Sequence, residues 1–270
     1  MSKLICLSKY TTLGIGGMAR VEIARSVEDL IKNPTSLVLG NGSNVLASDK
    51  NLAQKVVINR ANEYALYGET LYAESGCLIS ALAFFCAQAS LTGLEWAYML
   101  PASIGGAIVM NAGAFGKQIS DVVERVGVLR NGKVIELTVS ECGFSYRSSA
   151  FYKDDIVLYA FFRLKRAKRE DCECNLSRTK ALRTLQPKGK SAGCVYKSEN
   201  KSAGWYIEQA GLKNKSVGDI YVSPVHAGFF INGGKGTAKD MLALMDYVEK
   251  TVEDKFNKKL TREIKLIGEF

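Results

Sequence analysis

The sequence predicts an α+β fold with a smaller α+β unit at its C-terminal end, and three observations carry that prediction. Short β-branched and aromatic runs are joined by turn dipeptides, Gly68-Glu69 and Asn131-Gly132, the second being the strongest short hairpin signal. Apolar residues recur at helical spacing in two places: Leu78, Leu82, Phe85 and Ala89, and then Met241, Met245, Val248, Val252 and Phe256. Between them a charged run, Lys165, Arg166, Lys168, Arg169, Glu170 and Asp171, reads as a solvated linker. The expected divisions are residues 1–60, 61–168 and 169–270.

In chain order, Val21 to Ala24 reads as a strand, and Ser26 as the N-cap of a short helix with Glu28 and Asp29 in its first turn. Ser36 to Leu39 and Lys55 to Ile58 are further strands. Tyr64–Tyr67 and Leu71–Glu74 form a hairpin about Gly68-Glu69. A buried helix follows Cys77 and ends near Gly93. Two Gly/Ala-rich turns fill 101–116. Val122–Arg130 and Lys133–Thr138 form a second hairpin, and Ile156–Leu164 a strand. Leu176–Leu185 is a helix stopped before Pro187, where the preceding residue disfavours helical geometry. Trp205–Ala210 is a helix closed by Gly211, and Thr237 caps the last long helix.

Lys and Arg number 36 against 27 Asp and Glu, a net charge of +9, which favours anionic partners such as nucleotides, phosphorylated substrates or nucleic acid. The basic residues are spread along the chain with no aromatic–basic module, which argues against a nucleic-acid partner. The uncharged run Cys77–Leu94 contains Ser80, Gln88, Ser90 and Thr92 and reads as a buried helix, so no membrane partner is expected. Seven cysteines in irregular spacing include no CxxC pair, so no metal site is expected. Leu4 to Leu7 is too short for a signal peptide. Free thiols in a reducing cytoplasm are the expectation.

Four stretches of the chain are rich in glycine. Gly14 to Ala19 matches GxGxxG/A, but a strand follows and no acidic residue stands about 20 positions on, so a dinucleotide fingerprint is rejected. Gly233 to Thr237 lacks the GK[ST] order of a phosphate loop and reads as a turn. Gly40, Asn41, Gly42, Ser43, Asn44 and Val45 follow a strand. Consecutive small residues there can aim backbone N–H groups at phosphate oxygens, or can form an ordinary turn. Pro101, Ala102, Ser103, Ile104, Gly105 and Gly106, followed by Asn111, Gly113 and Ala114, lack large side chains where a backbone could approach a flat ligand or a pyrophosphate. A tightly packed pair of turns is the alternative.

Together these stretches resemble a known family. Residues 39–44 (LGNGSN) are similar to the phosphate loop of the FAD-binding fold shared by vanillyl-alcohol oxidases. Residues 101–116 (PASIGGAIVMNAGAFG) resemble the second FAD loop of the UDP-N-acetylenolpyruvoylglucosamine reductases. Phe144–Phe151, Ser191–Lys197 and Leu260–Ile264 resemble three further segments of those reductases, in the same order. The resemblance runs from about Tyr10 to Ile267. It implies an FAD-binding fold of the vanillyl-alcohol oxidase type, made of two α+β subdomains, followed by a C-terminal α+β substrate domain.

It also implies chemistry: NADPH reduces FAD, and an enolpyruvyl ether on a UDP-sugar is then reduced, in a cytoplasmic step of peptidoglycan precursor synthesis by a monomer. By the motif match, Arg147 and Glu263 stabilise the enolate and Cys194 donates the proton. Tyr146, Lys197 and His226 are expected to bind substrate. An arginine is always charged and grips a carboxylate with two donors. A thiol is a stronger acid than the serine more usual in the family. Ser198-Glu199 stands where Asn-Pro is usual, which puts one substrate contact in question. Competing expectations are another FAD-linked oxidoreductase of the same fold, a basic nucleic-acid-binding protein, and an inactive flavin-binding relative.

Overall fold

Residues 2–34, 37–197 and 201–270 are described by a computed structural model. Among them the helices are α1 (Val27–Ile31), α2 (Ile79–Gln88), α3 (Ile104–Val109), α4 (Arg169–Thr184), α5 (Ala203–Gln209) and α6 (Ala238–Phe256). The chain divides into two units. One comprises Glu22–Asn41 and Val56–Thr184; the other comprises Met1–Val21, Gly42–Lys55 and Leu185–Phe270. We call them the sheet unit and the C-terminal unit.

The sheet unit is organised by an antiparallel sheet in the spatial order Lys133–Thr138, Val123–Arg130, Ile156–Arg163, Thr70–Glu74 and Tyr64–Tyr67. Both expected hairpins are present. Asn131 and Gly132 take φ of 51° and 74°, the double positive-φ turn whose twist suits a two-residue hairpin. Alternate residues such as Val126, Val128, Ala160 and Phe162 are fully buried against Ile79, Leu82, Ile104 and Ile108 of α2 and α3. Ser26 caps α1 as expected, accepting from the Asp29 N–H at 3.3 Å.

Three expectations differ. The helix after Cys77 ends at Gln88, because Ser90 turns left-handed (φ 60°) and Leu91–Thr92 pairs with Lys165–Arg166 as a short antiparallel ribbon. The charged run at 165–171 is therefore not a linker. Lys165 and Arg166 are strand, and Arg169, Glu170 and Asp171 open α4, whose Cys172 and Leu176 pack on Ala87 of α2. The sheet unit accordingly extends to Thr184 rather than 168. In 101–116 the first stretch is not a turn but the start of α3, capped by Ser103.

In the C-terminal unit, Val45–Ala47 pairs in parallel with Lys265–Ile267, and Leu13, Ile15 and Leu46 share one core with Tyr196, Phe230, Met241, Met245 and Ile264. That pairing draws residues 1–21 and 42–55 into the C-terminal unit, instead of leaving 1–60 as one piece. Thr237 caps α6, with Asp240 reciprocating, and Gly211 after α5 takes φ 78°. The strand expected at 36–39 is found as Leu37–Leu39; Ser36, Ser198 and Glu199 lie outside the described residues. No described helix is long and apolar enough to cross a membrane.

Candidate active site

In the sheet unit the two small-residue stretches meet. Asn41 Nδ2 donates to the Pro101 carbonyl at 2.8 Å. A Cβ built on Gly40 would stand 2.1 Å from Ser103 Oγ, so no other residue fits there without displacing the helix cap. Ser103 Oγ accepts from the Gly106 N–H, which satisfies one of the orphan donors of α3. Buried Gly105 is pinned by its N–H to the Ser75 carbonyl at 2.8 Å, whereas exposed Gly106 would meet only Ser103 Oγ, at 3.4 Å. Ala102 and Ile104 are buried. The result is a firmly held patch of backbone with no side chain standing over Gly106.

Beyond α3, Asn111 is buried at left-handed φ 40°. Its amide donates to Gln118 Oε1 and the Ser145 carbonyl and accepts from the Ser120 N–H. That bond holds the turn Ser145–Ser148, which is closed by reciprocal backbone bonds of 3.0 and 3.2 Å. Arg147 sits in this turn at φ 53°, a conformation costing an L-residue roughly 1–2 kcal/mol. Its Nη2 donates to the Gly113 carbonyl at 2.7 Å. Gly113 pairs with Gln118 and Ala114 with Lys117. Exposed Tyr146 flanks the guanidinium, its ring centroid 5.1 Å from Cζ.

In the C-terminal unit the segment Cys194–Lys197 runs between two others. Cys194 bridges Phe229, and the Val195 N–H donates to the Gly228 carbonyl at 2.9 Å. On its other side the Glu263 N–H donates to the Val195 carbonyl and the Lys197 N–H to the Thr261 carbonyl, both at 2.8 Å. Cys194, Lys197 and Glu263 are half-buried. His226 is exposed, and its Nδ1 accepts from the Gly228 N–H at 3.1 Å. A Cβ on Gly228 would lie 2.9 Å from the His226 ring and 3.4 Å from Cys194 Sγ, so thiol and imidazole flank one glycine. Gly42, at φ 61°, packs on the Tyr10 carbonyl with no space for a side chain. Half-buried Ser43 follows, then Asn44, which bonds the Glu263 carbonyl, and Val45, paired with Lys265.

Three supporting residues escaped the sequence reading. Arg60 Nη1 donates to the Gly40 carbonyl at 3.1 Å. Thr12 Oγ1 donates to the Ser191 carbonyl at 2.6 Å. Asn232 Nδ2 donates to the Leu13 carbonyl at 2.9 Å. Each acts across a long sequence separation on a backbone carbonyl, which leaves no local pattern.

Residues 22–138 match the family model of an FAD binding domain, and residues 186–267 match that of the UDP-N-acetylenolpyruvoylglucosamine reductase C-terminal domain. The chain is 38% identical to the UDP-N-acetylenolpyruvoylglucosamine reductase of Clostridium novyi, covering 98% of this chain and 91% of that one. The chain belongs to the UDP-N-acetylenolpyruvoylglucosamine reductase family. The reductase of Thermotoga maritima is 34% identical over 96% of both chains. The crystal structure of the Thermus caldophilus reductase superposes with a TM-score of 0.90 at 34% identity, covering 99% of each chain. The expected fold, an FAD-binding domain followed by the family's C-terminal domain, is thereby established. The site residues fit an FAD: Gly40 and Gly105 pack too closely on Ser103 and Ser75 to carry a side chain, and exposed Gly106 leaves bare backbone beside them, which suits a pyrophosphate.

Proposed function

We propose that this reductase uses NADPH and FAD to convert UDP-N-acetylglucosamine enolpyruvate to UDP-N-acetylmuramate, a step of peptidoglycan precursor synthesis, as a cytoplasmic monomer with no nucleic-acid or membrane partner. The observation that carries this reading is the backbone ladder that holds Cys194 and Glu263 on segments adjoining Val195. A thiol and a carboxyl group held on neighbouring segments support a proton donor and an enolate-stabilising group acting together.

FAD, when bound, supplies hydride transfer between NADPH and the enolpyruvyl double bond. The chain's own residues bind, orient and protonate. Gly40–Val45, Pro101–Gly106, Asn111, Gly113 and Ala114 hold the cofactor. Arg147, fixed to the Gly113 carbonyl, brings its permanent positive charge to the substrate carboxylate, where negative charge develops. Cys194 gives its Sγ proton to the substrate carbon that bears the carboxylate, and the thiolate is reprotonated from solvent. Glu263, on the segment beside Val195, is the second group assigned to stabilising the enolate. Lys197 attracts the diphosphate as a point charge, while Tyr146 and His226 shape the substrate's seat.

An anaerobic two-step titration tests this. NADPH should bleach the flavin band, and the enolpyruvyl UDP-sugar should restore it. Bleaching without recovery would mean a different substrate, and no flavin band after addition of FAD would sink the reading.

A further inference from the structure

Arg147 stands on a left-handed backbone at φ 53°. A non-glycine residue keeps such a conformation only where its surroundings over-determine it. Here they form a closed circuit of hydrogen bonds, and Gln118, which serves no step proposed for the reaction, closes it.

The circuit has two arms. One holds the backbone: buried Asn111 donates from Nδ2 to the Ser145 carbonyl at 3.0 Å, and Ser145 closes on Ser148 around Arg147. The other holds the guanidinium: Arg147 Nη2 donates to the Gly113 carbonyl at 2.7 Å, and Gly113 pairs with Gln118. A Cβ on Gly113 would lie 2.5 Å from the Lys117 carbonyl oxygen, so this pairing needs the glycine. Gln118 joins the arms. Its backbone faces Gly113, and its Oε1 accepts from Asn111 Nδ2 at 3.1 Å.

Both amides are fixed in turn. The Gln118 side chain accepts from the Asp121 N–H, and the Gln118 N–H donates to the Asp121 carboxylate at 3.0 Å. Asn111 Nδ2 serves Gln118 and Ser145, while Oδ1 accepts from the Ser120 N–H at 3.3 Å. An asparagine amide has only two N–H donors. Asn111 is 1% exposed, so its side chain works inside the protein. Without the Gln118 oxygen, one of those donors would lose its partner in a buried place, which is costly. The amide would then be free to turn away from Ser145. We infer that Gln118, acting through Asn111, is a positioning residue for Arg147 and sets the direction in which the guanidinium meets the substrate carboxylate. The catalytic consequence rests on the role proposed for Arg147 above.

Gln118→Met keeps the length of the side chain and removes the acceptor, whereas Gln118→Glu keeps an acceptor oxygen. In anaerobic half-reactions of the FAD-loaded protein, Gln118→Met should slow reoxidation by the enolpyruvyl UDP-sugar about 10–10²-fold, the scale of a reacting group misplaced by about 1 Å. Bleaching by NADPH and flavin content should not change, and Gln118→Glu should keep the wild-type rate. In an Arg147→Lys background, Gln118→Met should add little, since residues acting on one geometry are not additive. Asn111→Gly, which tolerates the left-handed backbone, is the second probe should Gln118→Met misfold. Relaxation NMR of the Arg147 Nε–H in the full chain, without turnover, should show an ordered guanidinium in wild type and a mobile one in Gln118→Met. Unchanged reoxidation, equal slowing of both half-reactions, equal losses in Gln118→Glu and Gln118→Met, a multiplied loss in the double variant or an equally ordered guanidinium would each overturn the inference. A wild-type flavin that NADPH bleaches and the UDP-sugar does not restore would instead overturn the proposed substrate, and the NMR measurement would then decide the positioning role.

Discussion

Asn44 donates its side-chain N–H to the Glu263 carbonyl at 3.2 Å, and the Lys265 N–H returns a bond to the Asn44 carbonyl at 3.0 Å. The small-residue loop and the glutamate segment, 219 positions apart, are thus one structural piece. Asn44→Ala should cost about 1 kcal/mol, the usual worth of one such bond. Asn44→Asp should cost more, because it sets a carboxylate against a carbonyl. Thermal denaturation reads the stability, and single-turnover reoxidation should slow in the same order. Equal rates in both variants would show that Glu263 does not depend on this tie.

Arg147 combines a left-handed backbone with a bond to Gly113. Arg147→Lys keeps the charge but loses the planar fork that can hold the Gly113 carbonyl and a carboxylate together. Reoxidation should fall by about 10²–10³, the scale of losing one oriented donor to a developing anion. Flavin content should be unchanged. A lysine variant close to wild-type rate would reduce the role of Arg147 to charge alone.

How much of this was legible beforehand depended on whether the cause was local. The hairpin at Asn131-Gly132, the Ser26 and Thr237 caps and the apolar stripe of α6 were readable, since each rests on residues within a few positions. The extent of the sheet unit was not, because the run at 165–171 is polar whether it is a linker or the start of a helix. Only Cys172 and Leu176, packed on Ala87, decide it. The parallel pairing of Val45–Ala47 with Lys265–Ile267 was invisible for the same reason. The candidate site was legible as motifs, whereas Arg60 and Thr12, which brace it through backbone carbonyls, carried no motif.

The cysteines should separate by reactivity. Burial, and then the Glu74 and Glu95 carboxylates, push the Cys77 and Cys86 thiols up to about 12. Burial and Glu141 push Cys142 up to about 11, and burial raises Cys172. Such thiols form no appreciable thiolate near neutral pH, and the thiolate is the nucleophile. Maleimide labelling of folded protein should therefore mark exposed Cys174 first, then half-buried Cys194 and Cys6, and reach the other four only on unfolding. Cys194→Ser should retain turnover and resist inactivation by peroxide, whereas Cys194→Ala should slow reoxidation by about 10²–10⁴, the usual worth of a positioned acid.

The same raised values set an alkaline limit. A thiol at about 12 when folded and 9.0 when unfolded stays neutral in the native state while the unfolded chain ionises. Its contribution is fully present below pH 9 and is lost as pH rises from there towards 12. Tyr72, pushed up to about 12 by burial and Glu74, adds to the loss above pH 10. Melting temperature should fall steadily above pH 9, and Cys86→Ala should flatten that decline. An unchanged slope would shift the cause to other groups.

Gly40→Ala offers the sharpest separation of fold from cofactor site. The new methyl would stand 2.1 Å from Ser103 Oγ and 3.1 Å from Ser103 Cβ, so either the loop or the α3 cap must move. Overpacking of this kind costs about 1–3 kcal/mol. Ser103→Gly alone should cost less than that, since glycine is a tolerable N-cap. In the double variant the clash is absent, so stability should recover to near that of Ser103→Gly. FAD affinity should recover with it if the serine serves only to cap α3. Recovery of melting temperature without recovery of FAD affinity would make the Ser103 hydroxyl, or the bare Cα of Gly40, a direct part of the pyrophosphate seat.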